Sequence, residues 1–170
     1  LLVLEAAKLA NEGATKDEII SRLNEIVNLN RLVVVVDTLE YLHRGGRIGH
    51  LKKLFAHALS MKPILHFTDG SISSGGTIKG RNEVIKRLKY SAQFIPKNSI
   101  TDYIFIWHSQ DYEIADELYQ IMLKHNNNGK NIRIIEAGPV IGTHVGPKSL
   151  GFVYIGNYDK NWLTKNGRAN

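Results

Sequence analysis

Cysteine is absent from the 170 residues. That removes disulfides, thiolate metal sites and cysteine nucleophiles, and it suits a reducing compartment. Cytoplasm is therefore the expected location. No apolar run approaches the roughly 20 residues a spanning helix needs, because the start Leu1-Leu2-Val3-Leu4 is soon followed by Glu5 and Lys8. No integral membrane span is expected. Internal repeats are lacking, and low complexity is confined to Asn126-Asn127-Asn128. A dense basic tail is lacking too, although the net charge is +6 and the pI is near 9.5. Such a balance suits nucleic acid, an anionic ligand or an acidic partner and chooses none of them. Basic residues concentrate only around 44–53 and 79–89.

With 43% hydrophobic residues, the chain can bury one core. Apolar residues at positions 1, 2, 4, 6, 7, 9 and 10 predict a helix that stops at Gly13. Thr15 and Glu18 have the spacing of a capping box, predicting a second helix through about Asn28. The opening helix has no cap before it, so the chain is expected to begin inside a larger protein. Four consecutive valines within 31–37 predict a strand covered on both faces, with Val33 to Val36 in the core.

Residues 48–61 regain helical spacing, and Pro63 is expected to end that helix. Residues 64–67 and 71–78 predict an antiparallel hairpin across Thr68-Asp69-Gly70. A basic amphipathic helix over 81–94, a strand over 103–107, a helix over 111–125 and a strand over 132–136 follow. Residues 149–155 are apolar, but their pattern does not decide between helix and strand. Those beyond Tyr158 are expected to form a frayed tail. The sum is an α/β fold, α+β by strict criteria: a mixed sheet with an antiparallel hairpin, covered by helices.

Two segments carry candidate chemistry. In Gly138-Pro139-Val140-Ile141-Gly142-Thr143-His144-Val145-Gly146-Pro147 a hydroxyl and an imidazole lie between glycines, in what reads as a turn suited to a carboxylate or phosphate. A capped turn between strands is the bland alternative. Arg44-Gly45-Gly46-Arg47 precedes a helix, where open N–H groups and arginine forks favour an anion. Its glycines lack the spacing of a P-loop or dinucleotide fingerprint. The histidines lack metal-site spacing, and His108, Ser109 and Asp111 are too close in sequence for a catalytic triad. A Gly-x-Ser-x-Gly elbow is missing.

Four segments, in order, resemble the DegV family of bacterial fatty-acid-binding proteins. They are Val36-Asp37-Thr38-Leu39-Glu40-Tyr41-Leu42-His43-Arg44-Gly45-Gly46-Arg47-Ile48, then Met61-Lys62-Pro63-Ile64-Leu65 with Asp69-Gly70, then Lys79-Gly80-Arg81, then Ile141-Gly142-Thr143-His144-Val145-Gly146-Pro147. The sequence departs from the family at Val145, where a smaller or hydroxylated residue is usual, and at Lys148, where glycine is.

The resemblance implies a two-domain carrier that holds a long-chain fatty acid between its domains and presents it to a separate fatty-acid kinase. It implies no cofactor and no catalytic residue. Gly142, Thr143 and His144 would bind the fatty-acid carboxylate, with His144 as donor, and Arg44, Arg47 and Arg81 would contact an anion or the kinase. It further implies that residues 1–30 are the terminal helices of a truncated N-terminal domain, 31–158 a DegV-like C-terminal domain, and 159–170 a tail. A chain so divided has half a pocket and is expected to bind lipid weakly by itself. Two other readings compete: a basic domain binding an acidic protein or nucleic acid, and an acyl- or phosphoryl-transfer enzyme using His144. The first lacks a motif and the second an activated nucleophile.

Overall fold

The computed structural model describes residues 1–51, 60–68 and 70–164. Helices α1 (Leu2–Asn11) and α2 (Lys16–Ile26) come first. The predicted capping box starts α2: the Glu18 N–H donates to Thr15 Oγ1, and the Thr15 N–H donates to the Glu18 carboxylate. A short 3-10 turn, Val27–Leu29, leads into β1 (Asn30–Val35). Then come α3 (Glu40–Arg44), β2 (Met61–Thr68), β3 (Ser71–Lys79), α4 (Arg81–Ala92), α5 (Ile95–Asn98) and β4 (Tyr103–Ser109). The chain continues through α6 (Tyr112–Lys124), β5 (Asn131–Glu136), α7 (Pro139–Val145), β6 (Ser149–Ile155) and α8 (Asn161–Thr164).

The strands form one six-stranded sheet in the order β3-β2-β1-β6-β4-β5. Neighbours are antiparallel except β4 and β5, so the mixed sheet and the hairpin are as expected. The stretch 149–155, undecided from sequence, is β6, which pairs with β1 from Asn30↔Ile155 to Val35↔Leu150. A strand flanked on both edges is apolar on both faces, which erases the alternation that would have marked it. Gly151 in β6 has no room for a side chain, since an added Cβ would lie 2.8 Å from the Val34 Cα.

Residues Val33 to Val36 are all buried, and alternate valines serve opposite faces. Val33 and Val35 join Ile64, Ile106 and Phe152 beneath Val84 and Leu88 of α4 and Leu118 and Met122 of α6. Val34 and Val36 join Leu65 and Trp107 on the other face, against Leu39, Leu42, Ile48 and Leu51. The first face lies under long helices. Among the described residues the second is covered mainly by the short elements α3 and α7, and the candidate site sits there.

Two expectations are corrected, and a third falls largely outside the described residues. Pro63 ends no helix: it lies inside β2, buried, and its carbonyl accepts the Val36 N–H at 3.0 Å. The β1–β2 register runs from His66 to Ile64, so Pro63 stands opposite Val36 at the end of the ladder, where it accepts one bond and, lacking an N–H, cannot return the other. The helix expected over 48–61 gives a 3-10 turn at Gly49–Leu51 and a strand from Met61, and 52–59 lie outside the described residues. Residues 159–164 are not frayed. Leu163 of α8 is buried, and Arg87 donates to the carbonyls of Leu163 (2.7 Å) and Thr164 (2.9 Å).

Candidate functional site

The segment 138–147 is a helix rather than a turn. Pro139 stands at its first position, where its missing N–H costs nothing, and the helix ends at Gly146 with φ of +73°. Gly142 lies inside α7, so it supplies no special backbone angle. Gly146 supplies both angle and space, because a Cβ there would lie 2.6 Å from Tyr41 Cε2. The fully buried Ser149 hydroxyl closes the helix end by donating to the carbonyls of Val145 (3.0 Å) and Gly146 (3.3 Å).

α7 packs on α3, and His144 lies directly against Gly45. A Cβ at Gly45 would fall 2.8 Å from His144 Cε1 and closer still to Nδ1. Nδ1 is buried with no hydrogen-bond partner among the described residues. A proton there would be an unmet buried donor, a cost of about 1–3 kcal/mol. With the proton on Nε2 instead, Nδ1 is left as a buried acceptor and Nε2 serves as the donor. The Thr143 hydroxyl is exposed and donates to the Pro139 carbonyl at 2.7 Å, one turn back.

Below this helix pair, the second face of the sheet opens into an apolar cleft of about 270 Å³. Leu32, Val34, Leu65, Phe67, Ile72 and Trp107 supply its floor and far wall, while Leu42, Ile141, Val145, His144 and Arg47 supply the near wall. Phe67 and Ile141 are about half exposed (45% and 53%), so the cleft is open to solvent along that side. Its two polar members, His144 and Arg47, lie on the near wall, where Arg47 donates to the Gly45 carbonyl at 3.0 Å.

Of the three predicted arginines, Arg47 joins His144 at the cleft. Arg44 is exposed and pairs with Glu40 one turn away. Arg81 lies apart from the cleft lining, paired with Asp111 and donating to the Lys148 carbonyl at 2.7 Å. Burial pushes its guanidinium down from the usual range, with Asp37 opposing. The Lys148 it holds has φ of +60°, a conformation natural to glycine, which is the residue usual in the family at this position.

His108, Ser109 and Asp111 form no triad. The His108 ring accepts the Asp111 N–H at 3.3 Å, and burial pushes that imidazole down, partly offset by Glu136. The basic helix α4 is largely neutralised: Arg87 pairs with Glu83 at 2.8 Å and Lys89 pairs with Glu117. Among the described residues no group of three His, Asp or Glu is placed to hold a metal, and no helix is long and apolar enough to cross a membrane.

The apolar floor was the part sequence reasoning missed. Its signal is the period-two spacing of Leu32 and Val34 in β1 and of Leu65 and Phe67 in β2, which puts these residues on one face. Which face would remain thinly covered could not be read from that spacing.

A sequence model of the family described as uncharacterised proteins of the DegV family matches residues 1–157. A DegV domain-containing protein of Caldanaerobacter subterraneus is 32% identical over 158 residues, covering 91% of this chain and 55% of the relative. The crystal structure of a fatty-acid-binding DegV family protein from Streptococcus agalactiae superposes with a TM-score of 0.76 at 27% identity, covering 92% of this chain and 55% of that one. DegV from Bacillus subtilis, a fatty acid binding protein, gives 0.73 at 27% identity over the same shares. The chain thus spans about half the length of the relatives it matches. With the match running from the opening helix past the last strand, and the motifs in family order, the chain belongs to the DegV family.

Proposed function

We propose that this chain contributes the second-domain wall of a fatty-acid site, with the acyl chain along the apolar cleft and the carboxylate at His144. The observation that carries this reading is the pairing of an apolar floor with two polar side chains, His144 and Arg47, on one wall. A fatty acid has the matching polarity, apolar along its length and anionic at one end. The fatty-acid-binding DegV relatives from S. agalactiae and B. subtilis support it.

His144 donates from Nε2 and Arg47 adds positive charge beside it. Thr143 serves only if its hydroxyl turns away from Pro139, and Gly142 lets the helix face come close. The role is binding, not catalysis. The bound acid is presented to a kinase partner, with the exposed Arg44 and the more buried Arg81 as candidate contacts. Residues 1–30 belong to the first domain in this scheme.

Burying a methylene contributes about 0.8 kcal/mol, and a cleft open along one side realises only part of that. Fatty acid therefore binds these residues weakly unless a second wall covers the cleft. Replacement of His144 by alanine tests the reading. Affinity for a fatty acid, measured by isothermal titration calorimetry, should drop by about tenfold, the loss of one charge-assisted hydrogen bond. Circular dichroism should be unchanged, and undiminished affinity would remove His144 from the site.

A further inference from the structure

A second cavity, of about 370 Å³, lies beyond the Leu32 and Phe67 end of the apolar cleft, and those two residues line both. Its other walls are polar. Arg31 enters from β1, Ser73 and Ser74 from β3, and Tyr158 and Lys160 from the segment after β6. Among the described residues no acidic residue lines it, and neither Arg31 nor Lys160 has an ion-pair partner.

The cavity is rich in donors that the fold does not use. Arg31 donates Nε to the Gly156 carbonyl (3.0 Å) and one terminal nitrogen to the Asn28 carbonyl (3.1 Å), which fixes the guanidinium and leaves its other nitrogen unspent. The Ser74 hydroxyl oxygen accepts the Gly76 N–H at 3.1 Å, and its own hydrogen has no acceptor. Tyr158 keeps its proton, because burial pushes its hydroxyl up. The back wall is a fitted one: His66 lies 5.1 Å from the Tyr158 ring and against Gly75, where a Cβ would collide with the imidazole.

We propose that this cavity binds a phosphate group, as a free ion or as the head of a monoester whose apolar part passes Phe67 into the neighbouring cleft. Two cations match the charge of about −1.5 to −2 that a phosphate monoester carries at neutral pH, and the one acid close enough to act on Tyr158, Asp159, is engaged by the Asn161 N–H at 2.8 Å. The hydroxyls of Ser74 and Tyr158 supply further donors for its oxygens, while the Ser73 hydroxyl already donates to the His66 carbonyl at 3.4 Å. This site does not depend on the fatty-acid reading, since it uses neither His144 nor Arg47.

The test is amide NMR of the 170-residue chain titrated at constant ionic strength with inorganic phosphate, with octyl phosphate, and with chloride as reference. Phosphate should shift the amides of Ser73, Ser74, Gly75 and Lys160. Lys160→Gln, an exposed change, should weaken the response about tenfold, and adding Ser74→Ala should weaken it further, while His144→Ala should leave it unchanged. Octyl phosphate binding more tightly and adding shifts at Leu32 and Phe67 would identify a lipid-borne group. Equal binding of the two would identify the free ion, with the site itself supported either way. Phosphate shifts no larger than those from chloride, or shifts indifferent to Lys160→Gln, would overturn the proposal.

Discussion

A side chain at Gly45 and the imidazole of His144 cannot share the space between α3 and α7, because an added Cβ would sit 2.8 Å from Cε1 and nearer to Nδ1. The glycine of the first motif is thus the seat of the histidine of the last, about a hundred residues along the chain. Its backbone is ordinary, with φ of −77°, so a substitution there acts through the collision with His144 and, more weakly, through a 3.2 Å approach to the Tyr41 carbonyl. Gly45→Ala should lower stability by about 1–3 kcal/mol, the usual cost of overpacking. In a His144→Ala background the same change should cost much less, because only the Tyr41 carbonyl contact remains. Urea unfolding of the four proteins of this cycle measures the coupling, and additive effects would contradict the contact.

Lys148 holds a left-handed conformation that costs an L-residue about 1–2 kcal/mol. Its two recorded hydrogen bonds, from Arg81 and to the Ser109 carbonyl, are made by backbone atoms that glycine keeps. Lys148→Gly should therefore raise stability by about 1 kcal/mol, seen as a higher urea midpoint. A lower midpoint would show that the Lys148 side chain matters in a way its exposure does not suggest.

Acid should destabilise the fold before its carboxylates titrate. Burial lowers the affinity of His66 and His108 for protons, with Arg31 reinforcing the effect at His66. Unfolding releases both to the usual histidine range near pH 6.5, so the unfolded chain binds more protons just below that pH. Stability is then fully present above about pH 6.5 and falls as the pH drops towards the folded-state values. Comparing urea midpoints at pH 7.5 and 5.5 tests this. His108→Asn keeps an acceptor for the Asp111 N–H and should reduce the difference, and an unaltered difference would exclude His108 as a source.

Leu163 is buried to 1% exposure in a segment that composition alone marks as a tail. Leu163→Ala should cost about 2–5 kcal/mol, in line with other large-to-small core changes. A thermal midpoint within a degree of the parent would mean that α8 is dispensable.

Much of the fold was legible because the local signals agreed with the tertiary structure. The Thr15/Glu18 box, the valine run of β1 and the turn-linked hairpin all stand where pattern placed them. The failures share a cause, which is tertiary context overriding a local rule. Pro63 was read as a helix stop, yet it lies in β2 at the end of the β1–β2 ladder, where the loss of one N–H is tolerated. Gly142 suggested a turn, yet a proline start and five further residues carry α7 through it. Leu163 looked like part of a polar tail until Arg87, seventy-six residues earlier, is seen to hold its carbonyl. At the site, His144 was named by its motif, while the cleft floor was hidden because Leu32, Val34, Leu65 and Trp107 look like any other core residues until the helices covering them are known.

The most direct measurement is an amide and methyl NMR titration of the chain with decanoate, which detects weak binding at an open cleft. The account predicts shifts concentrated on Leu32, Val34, Leu65, Ile72, Ile141 and His144, saturating with ligand and sharply reduced in His144→Ala. Shifts absent from this face, or centred on α4 and α6 across the sheet, would contradict it.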